Sequence, residues 1–245
     1  MNIDLTKTLL IQTMSKDAKP MIEAIGKGQE LTPTPQQRYV RRCLLSAGEL
    51  VEGHRKMEVA LALLSGYRPK RTPAGEMITR GDYVIFQVEG IHIRLVMLLD
   101  RALHLVNEVY RLGLPPRECR LGLVSSIESV KDSSIVKALK IIDKTVEPYR
   151  KTRNDIVHKG SLSDDRLKDI EAFYLLQRLE DGNQDPVVVT YGPIFKNDMD
   201  RYIEAKRSEF KPVIDRIADE INQLLDALHP VYTAFRDGLS LVSSR

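Results

Sequence analysis

Hydrophobic positions along this chain recur at intervals of three and four, the mark of amphipathic helices, and almost nowhere at intervals of two. The longest series is Val84, Val88, Ile91, Leu95, Leu98, Ala102, Leu105, Val109 and Leu112. Ile85, Leu99 and Val106 beside it are apolar as well, which predicts a central helix covered on more than one side. A second series, Val40, Cys43, Ala47, Leu50, His54, Met57, Leu61 and Leu64, opens after Thr34-Pro35, a capping residue followed by proline at the first helical position. It should end near Gly66. A third region runs from Ser133 to about His158 and contains Pro148. Proline removes a backbone donor and crowds the preceding turn, so a kink or a fresh helix start is expected there. Lys159-Gly160 should close that segment, and Ser163-Asp164-Asp165 should open a shorter helix through Arg178. Phe210, Ile214, Ile217, Ile221, Leu224 and Leu228 outline a long last helix, with bends expected at Pro212 and Pro230. Loops are expected at 66–81, 113–116 and 181–195, and in the last of them Val187 to Tyr191 is the one run with strand propensity.

Composition narrows the picture. A chain of 245 residues, 42% hydrophobic and 29% charged, can bury a core and reads as one globular domain, with or without appendages. Its 37 basic and 34 acidic residues leave a net charge of +3, too small to announce a nucleic-acid binder, so any polyanion site must be local. Arg68, Lys70, Arg71 and Arg80 gather in one loop, suited to a phosphate backbone and equally to plain solvation. Cys43 and Cys119 have no metal-type spacing and read as reduced thiols. The amino terminus lacks signal-peptide character and no apolar run of about 18 residues is free of charge, so a soluble, cytoplasmic protein without a membrane partner is expected.

Candidate chemistry concentrates in RNDIVH, Arg153 to His158. A guanidinium stabilises oxyanion charge and an imidazole moves a proton near neutral pH, a pairing suited to phosphate esters. Leu139, Ile142, Val146, Tyr149, Arg153 and Ile156 keep the three-four spacing, so Arg153 falls on an apolar stripe. A charge there is costly unless it is paired or opens onto a cleft or subunit interface. The structural alternative is a buried carboxylate partner, with Glu89 the first candidate. Asn154 and His158 are four apart and share a helix face, so the amide can orient the ring or a substrate. Tyr149, one turn before Arg153, can stack on a base or pack in the core.

Other polar patterns are weaker. Glu89-x-x-His92, Asp155-x-x-His158 and Asp226-x-x-His229 each set a carboxylate one turn from an imidazole, but di-iron bundles need two Glu-x-x-His pairs. Neither a metal nor a cofactor is expected. His54 lies on a core stripe. There is no Gly-x-Ser-x-Gly and no glycine-rich phosphate loop, which excludes hydrolysis of the P-loop kind.

Arg153, Asn154, Ile156, Val157, His158 and Gly160, set in an all-helical chain, resemble the Arg-x4-6-His signature of the HEPN superfamily (higher eukaryotes and prokaryotes nucleotide-binding). The resemblance implies an up-and-down bundle of four or five helices that dimerises with the motif at the subunit interface. In active members it implies a metal-independent endoribonuclease. By that likeness His158 would move the proton of a ribose 2′-hydroxyl attacking the adjacent phosphate, Arg153 would stabilise the transition state, and Asn154 would position substrate or His158. Tyr149, Arg150, Lys151 and Lys159 would bind RNA around them. The resemblance also suggests toxin, defence or RNA-processing biology, with RNA, a second copy and an antitoxin as partners. Some HEPN toxins carry a tyrosine two residues after the histidine; Gly160 stands there, so regulation through such a tyrosine is not implied. The combined expectation is an all-α, up-and-down helical bundle with a short extended segment at about 187–191. It divides into an N-terminal extension over 1–33 and a single HEPN-like domain over 34–245. A non-catalytic module binding nucleotide or a partner in the same cleft is the alternative.

Overall fold

A computed structural model describes residues 4–29, 32–68, 70–162, 164, 167–179 and 186–243. Its helices are α1 (Leu9–Gly26), α2 (Pro35–Leu63), α3 (Arg80–Tyr110), α4 (Leu121–Ser126), α5 (Ser134–Val146), α6 (Arg150–Lys159), α7 (Lys168–Leu179) and α8 (Pro186–Ser243). Among the described residues the sole strands, β1 (Lys70–Arg71) and β2 (Met77–Ile78), pair antiparallel. The chain is all-α, as its periodicity predicts.

Local sequence explains the helix ends. Thr34 Oγ1 accepts from the Gln37 N–H at 3.2 Å while Gln37 Oε1 accepts from the Thr34 N–H at 2.9 Å, a reciprocal cap that starts α2 at Pro35. Pro148 sits in a 3₁₀ turn, Glu147–Tyr149, and α6 begins afresh after it. The long apolar series is the interior of α3: Val84, Val88, Ile91, Leu95, Leu98, Ala102, Leu105 and Val109 are wholly buried. Each large member contributes about 1.5–3 kcal/mol on burial.

Three expectations are corrected. Residues 187–191 are not extended; they form the early turns of α8. Val188, Met199, Tyr202 and Ile203 are buried at helical spacing, and packing along that face outweighs the strand preference of a valine run. Pro186 stands at the helix start, where a missing N–H costs nothing, and residues 181–185 of the expected loop lie outside the described ones. The loop at 66–81 contains the β1–β2 hairpin, closed by the Thr72 N–H on Glu76 O at 2.8 Å and the Gly75 N–H on Thr72 O at 2.9 Å, with Gly75 at φ 88°. Strands of two residues are too short for alternation to register. The helix expected from Ser163-Asp164-Asp165 starts at Lys168, and Ser163 and Asp165 lie outside the described residues.

The chain forms two compact units, and α2, α3 and α8 each give a part to both. The first unit is Met1–Arg55, Val96–Pro148 and Asp215–Arg245. Inside it α1 buries Leu10, Met14, Ala18 and Met21, and Asp17 accepts from the Tyr232 hydroxyl and from Arg236, both at 2.9 Å. Tyr39 stacks on Tyr232 at 5.6 Å and donates its hydroxyl to Val109 O at 2.9 Å. The segment before residue 34 thus supplies a helix with a buried face. The second unit is Lys56–Leu95 and Tyr149–Ile214, and it holds RNDIVH. Arg80 pairs with Asp200, Tyr67 donates to Ile78 O at 2.7 Å, and Phe173 stacks on Phe195 at 4.3 Å.

Cys43 and Cys119 are free and buried, as reduced thiols should be. Burial pushes the Cys43 thiol up to about 12, which removes it as a nucleophile. Among the described residues no helix is long and apolar enough to cross a membrane.

Candidate active site on helix α6

Helix α6 begins at Arg150 with no side-chain cap and no acidic residue in its first turn. Gly160, in the left-handed conformation at φ 78°, ends it and returns its N–H to Ile156 O at 3.0 Å. Just beyond, the Leu162 N–H donates to Glu89 Oε1 at 2.8 Å. Asp164 accepts from the Tyr202 hydroxyl and from Lys206 Nζ, both at 3.1 Å. Side chains of α3 and α8 therefore pin the exit of α6.

The inner face of the helix packs within the second unit. Ile156 is buried, and the half-buried Tyr149 ring lies 5.7 Å from His92 and 6.3 Å from Phe210, with His92 edge-on to Phe210 at 5.1 Å. Arg153 shares this face, as its place on the apolar stripe requires. The residue is half-buried, and its Nε is buried with no hydrogen-bond partner. Glu89, the first candidate to pair with it, instead holds the Leu162 backbone. A guanidinium nitrogen out of water and unsatisfied is costly.

The outer face is open. Lys151, Asn154, Val157, His158 and Lys159 are exposed, and Arg150 is half-buried. Asn154 and His158 share the exposed side, one turn apart, while Lys159 pairs with Asp155 at 2.7 Å. Five helical residues turn about 140° and rise about 7.5 Å. Within one α6, Arg153 and His158 thus leave the axis in different directions.

The family model for Cthe2314-like HEPN matches residues 75–229, more than half of the chain, and includes the whole of α6. The chain belongs to the HEPN family. No curated protein and no solved structure matches it.

The carboxylate–histidine pairs with metal-like spacing in this HEPN chain have other partners: Glu89 takes the Leu162 N–H, Asp155 takes Lys159, and His229 Nε2 meets Thr13 Oγ1 at 3.2 Å. His54 is buried on its core stripe. Two features of the second unit escape a reading of single helices. His92 is buried, its Nδ1 lacks a partner, and burial followed by the Lys206 charge lowers its pKa to about 4. A cavity of about 620 Å³ is lined by Tyr67, Tyr174, Phe173, Arg80 and Lys196, an aromatic wall with a cationic rim. Its residues come from the segment around the hairpin, the start of α3, α7 and α8, and no local spacing announces the set.

The buried, unpartnered Arg153 Nε makes a stability prediction. Arg153→Leu is expected to hold or raise the melting temperature, because it replaces an orphaned polar group on an apolar face with one that belongs there. A thermal melt of the purified variant checks this; a fall of many degrees would make Arg153 a structural residue.

Proposed function

We propose that this HEPN protein is a metal-independent endoribonuclease whose site is composed from two copies of α6 meeting across a twofold axis. The observation that carries the reading is Arg153: a cation with a buried, partnerless Nε beside exposed Asn154 and His158. Arg153 is only half-buried, so the rest of its guanidinium can meet an RNA phosphate held between two copies, and the divergence of Arg153 and His158 within one helix ceases to matter when each faces the other protomer's motif. The exposed Val157 suits such a contact.

In the reaction a ribose 2′-oxygen attacks the adjacent phosphorus while the bond from phosphorus to the 5′-oxygen breaks. His158 transfers the proton, taken from the 2′-hydroxyl or delivered to the leaving 5′-oxygen, and Arg153 stabilises the charge gathering on the phosphoryl oxygens. Asn154 orients the ring or the scissile phosphate. Lys151, Arg150 and Lys159 attract the backbone, and Tyr149 fixes the start of the helix through its ring contacts. The products carry a 2′,3′-cyclic phosphate and a 5′-hydroxyl. Toxin, defence or RNA-processing roles, with an antitoxin as a further partner, are the settings we assign to such an activity.

The test is incubation of the full chain with total RNA in excess EDTA, with analysis of the new ends. Cleavage leaving cyclic phosphates is expected. A folded dimer that leaves RNA intact would replace this reading with the non-catalytic module, binding nucleotide or a partner through the same face.

A further inference from the structure

The first unit carries a cavity of about 360 Å³ at the start of α2 whose charged lining is arginine throughout: Arg38, Arg41, Arg42 and Arg111. Arg41 and Arg42 follow Arg38 by three and four residues, so all three project from one side of α2. Arg111 joins them from the end of α3. Like charges gathered this way repel, and a fold with no use for them would disperse or neutralise them. Here neutralisation is partial. Arg42 Nε meets Glu108 at 3.3 Å and Arg38 donates to Pro33 O at 2.6 Å, while the Arg111 charge acts on the Tyr39 hydroxyl only electrostatically.

The backbone at Arg111 is a second, independent sign. It closes α3 with φ 56°, in the left-handed region, its N–H on Glu108 O at 3.2 Å and the following Leu112 N–H on Asn107 O at 3.0 Å. That closing position is ordinarily given to glycine, because a Cβ there costs about 1 kcal/mol. The chain keeps an arginine in this position, though Gly113 stands two residues away. A strained residue retained where glycine would relax the turn indicates work for its side chain.

We propose that this pocket binds a small ligand through a di- or triphosphate group. Guanidinium forks match phosphate oxygens with paired N–H donors, and a chain of phosphates spreads enough negative charge to meet several arginines at once. The adjoining positive end of the α2 helix adds to the attraction. Exposed Leu45 at the edge offers an apolar contact for whatever carries the phosphates. The cavity lies at the small end of ligand-sized pockets, about 300–1,000 Å³. Of its eight lining residues only Arg111 falls inside 75–229, so this pocket is an addition to the matched HEPN segment.

Calorimetric titration of the full chain with inorganic phosphate, tripolyphosphate, ATP and a 2′-deoxy oligonucleotide, which 2′-oxygen attack cannot cleave, tests this without reference to nuclease activity. Tripolyphosphate and ATP are expected to bind, phosphate more weakly, and Arg41→Ala and Arg111→Gly are each expected to weaken tripolyphosphate by about tenfold or more. Arg111→Gly should also hold or raise the melting temperature, since the turn relaxes; Arg41→Ala, at an exposed site, leaves the backbone alone. The proposal is overturned if tripolyphosphate does not bind the wild type, if both variants bind it equally well, or if the loss is confined to the oligonucleotide.

Discussion

Removing the His158 imidazole is expected to slow RNA cleavage by about 10²- to 10⁴-fold, the usual contribution of a general acid or base. Arg153→Ala should cost about 10²- to 10³-fold through lost charge stabilisation. On the proposed mechanism both groups serve one transition state, so the double variant should be little slower than the slower single one. Initial rates on a defined RNA in EDTA measure all three, beside melts that establish folding. His158 is exposed and Arg153 has an orphaned nitrogen, so neither alanine should unfold the protein. A folded His158→Ala variant cleaving at the wild-type rate would remove the nuclease mechanism, whatever Arg153 does.

Acid should destabilise the second unit through His92. Burial and then the Lys206 ammonium hold its imidazole down to about 4, against the opposing pull of Glu209 and Asp164, and its ring lies against Tyr149 and Phe210. In the unfolded chain the same ring takes a proton near 6.5. The stability contributed by the neutral ring is therefore complete above about pH 6.5 and drains away as the pH falls toward 4. The full loss is of order 3 kcal/mol, about 1.4 kcal/mol for each tenfold rise in proton activity. Urea unfolding near pH 7.5 and near pH 5 should show this decline in the wild type, and a smaller one in His92→Leu. Equal declines in the two proteins would assign the acid sensitivity elsewhere.

The helices were legible because their buried faces are long and regular. The α3 series gives eight wholly buried positions, and Thr34-Pro35, Pro148 and Gly160 mark boundaries by backbone chemistry that does not depend on the rest of the fold. RNDIVH was legible for a related reason: a cation in the phase of an apolar stripe conflicts with its surroundings, and the orphaned Arg153 Nε is that conflict in three dimensions. Val187 to Tyr191 misled because strand propensity describes a local preference, while the buried face of α8 settles the outcome over many turns. The partner of Glu89 was beyond reach, since a backbone N–H carries no sequence signature. The arginine pocket was half visible. Arg38, Arg41 and Arg42 show their shared face in their spacing, but a near-neutral chain hides local charge, and Arg111 joins them only through the fold.

Helix α6 is ten residues long, uncapped at its start, and opens with Arg150, Lys151 and Arg153 around the positive pole of its own peptide dipoles. So short a helix is marginal by itself, and cations at that pole weaken it further. An anionic strand lying across the first turn reverses the sign of that interaction. On the nuclease reading, RNA then firms up the helix that cuts it, and part of the discrimination between polyanion and neutral ligand is written into the order of the blade itself.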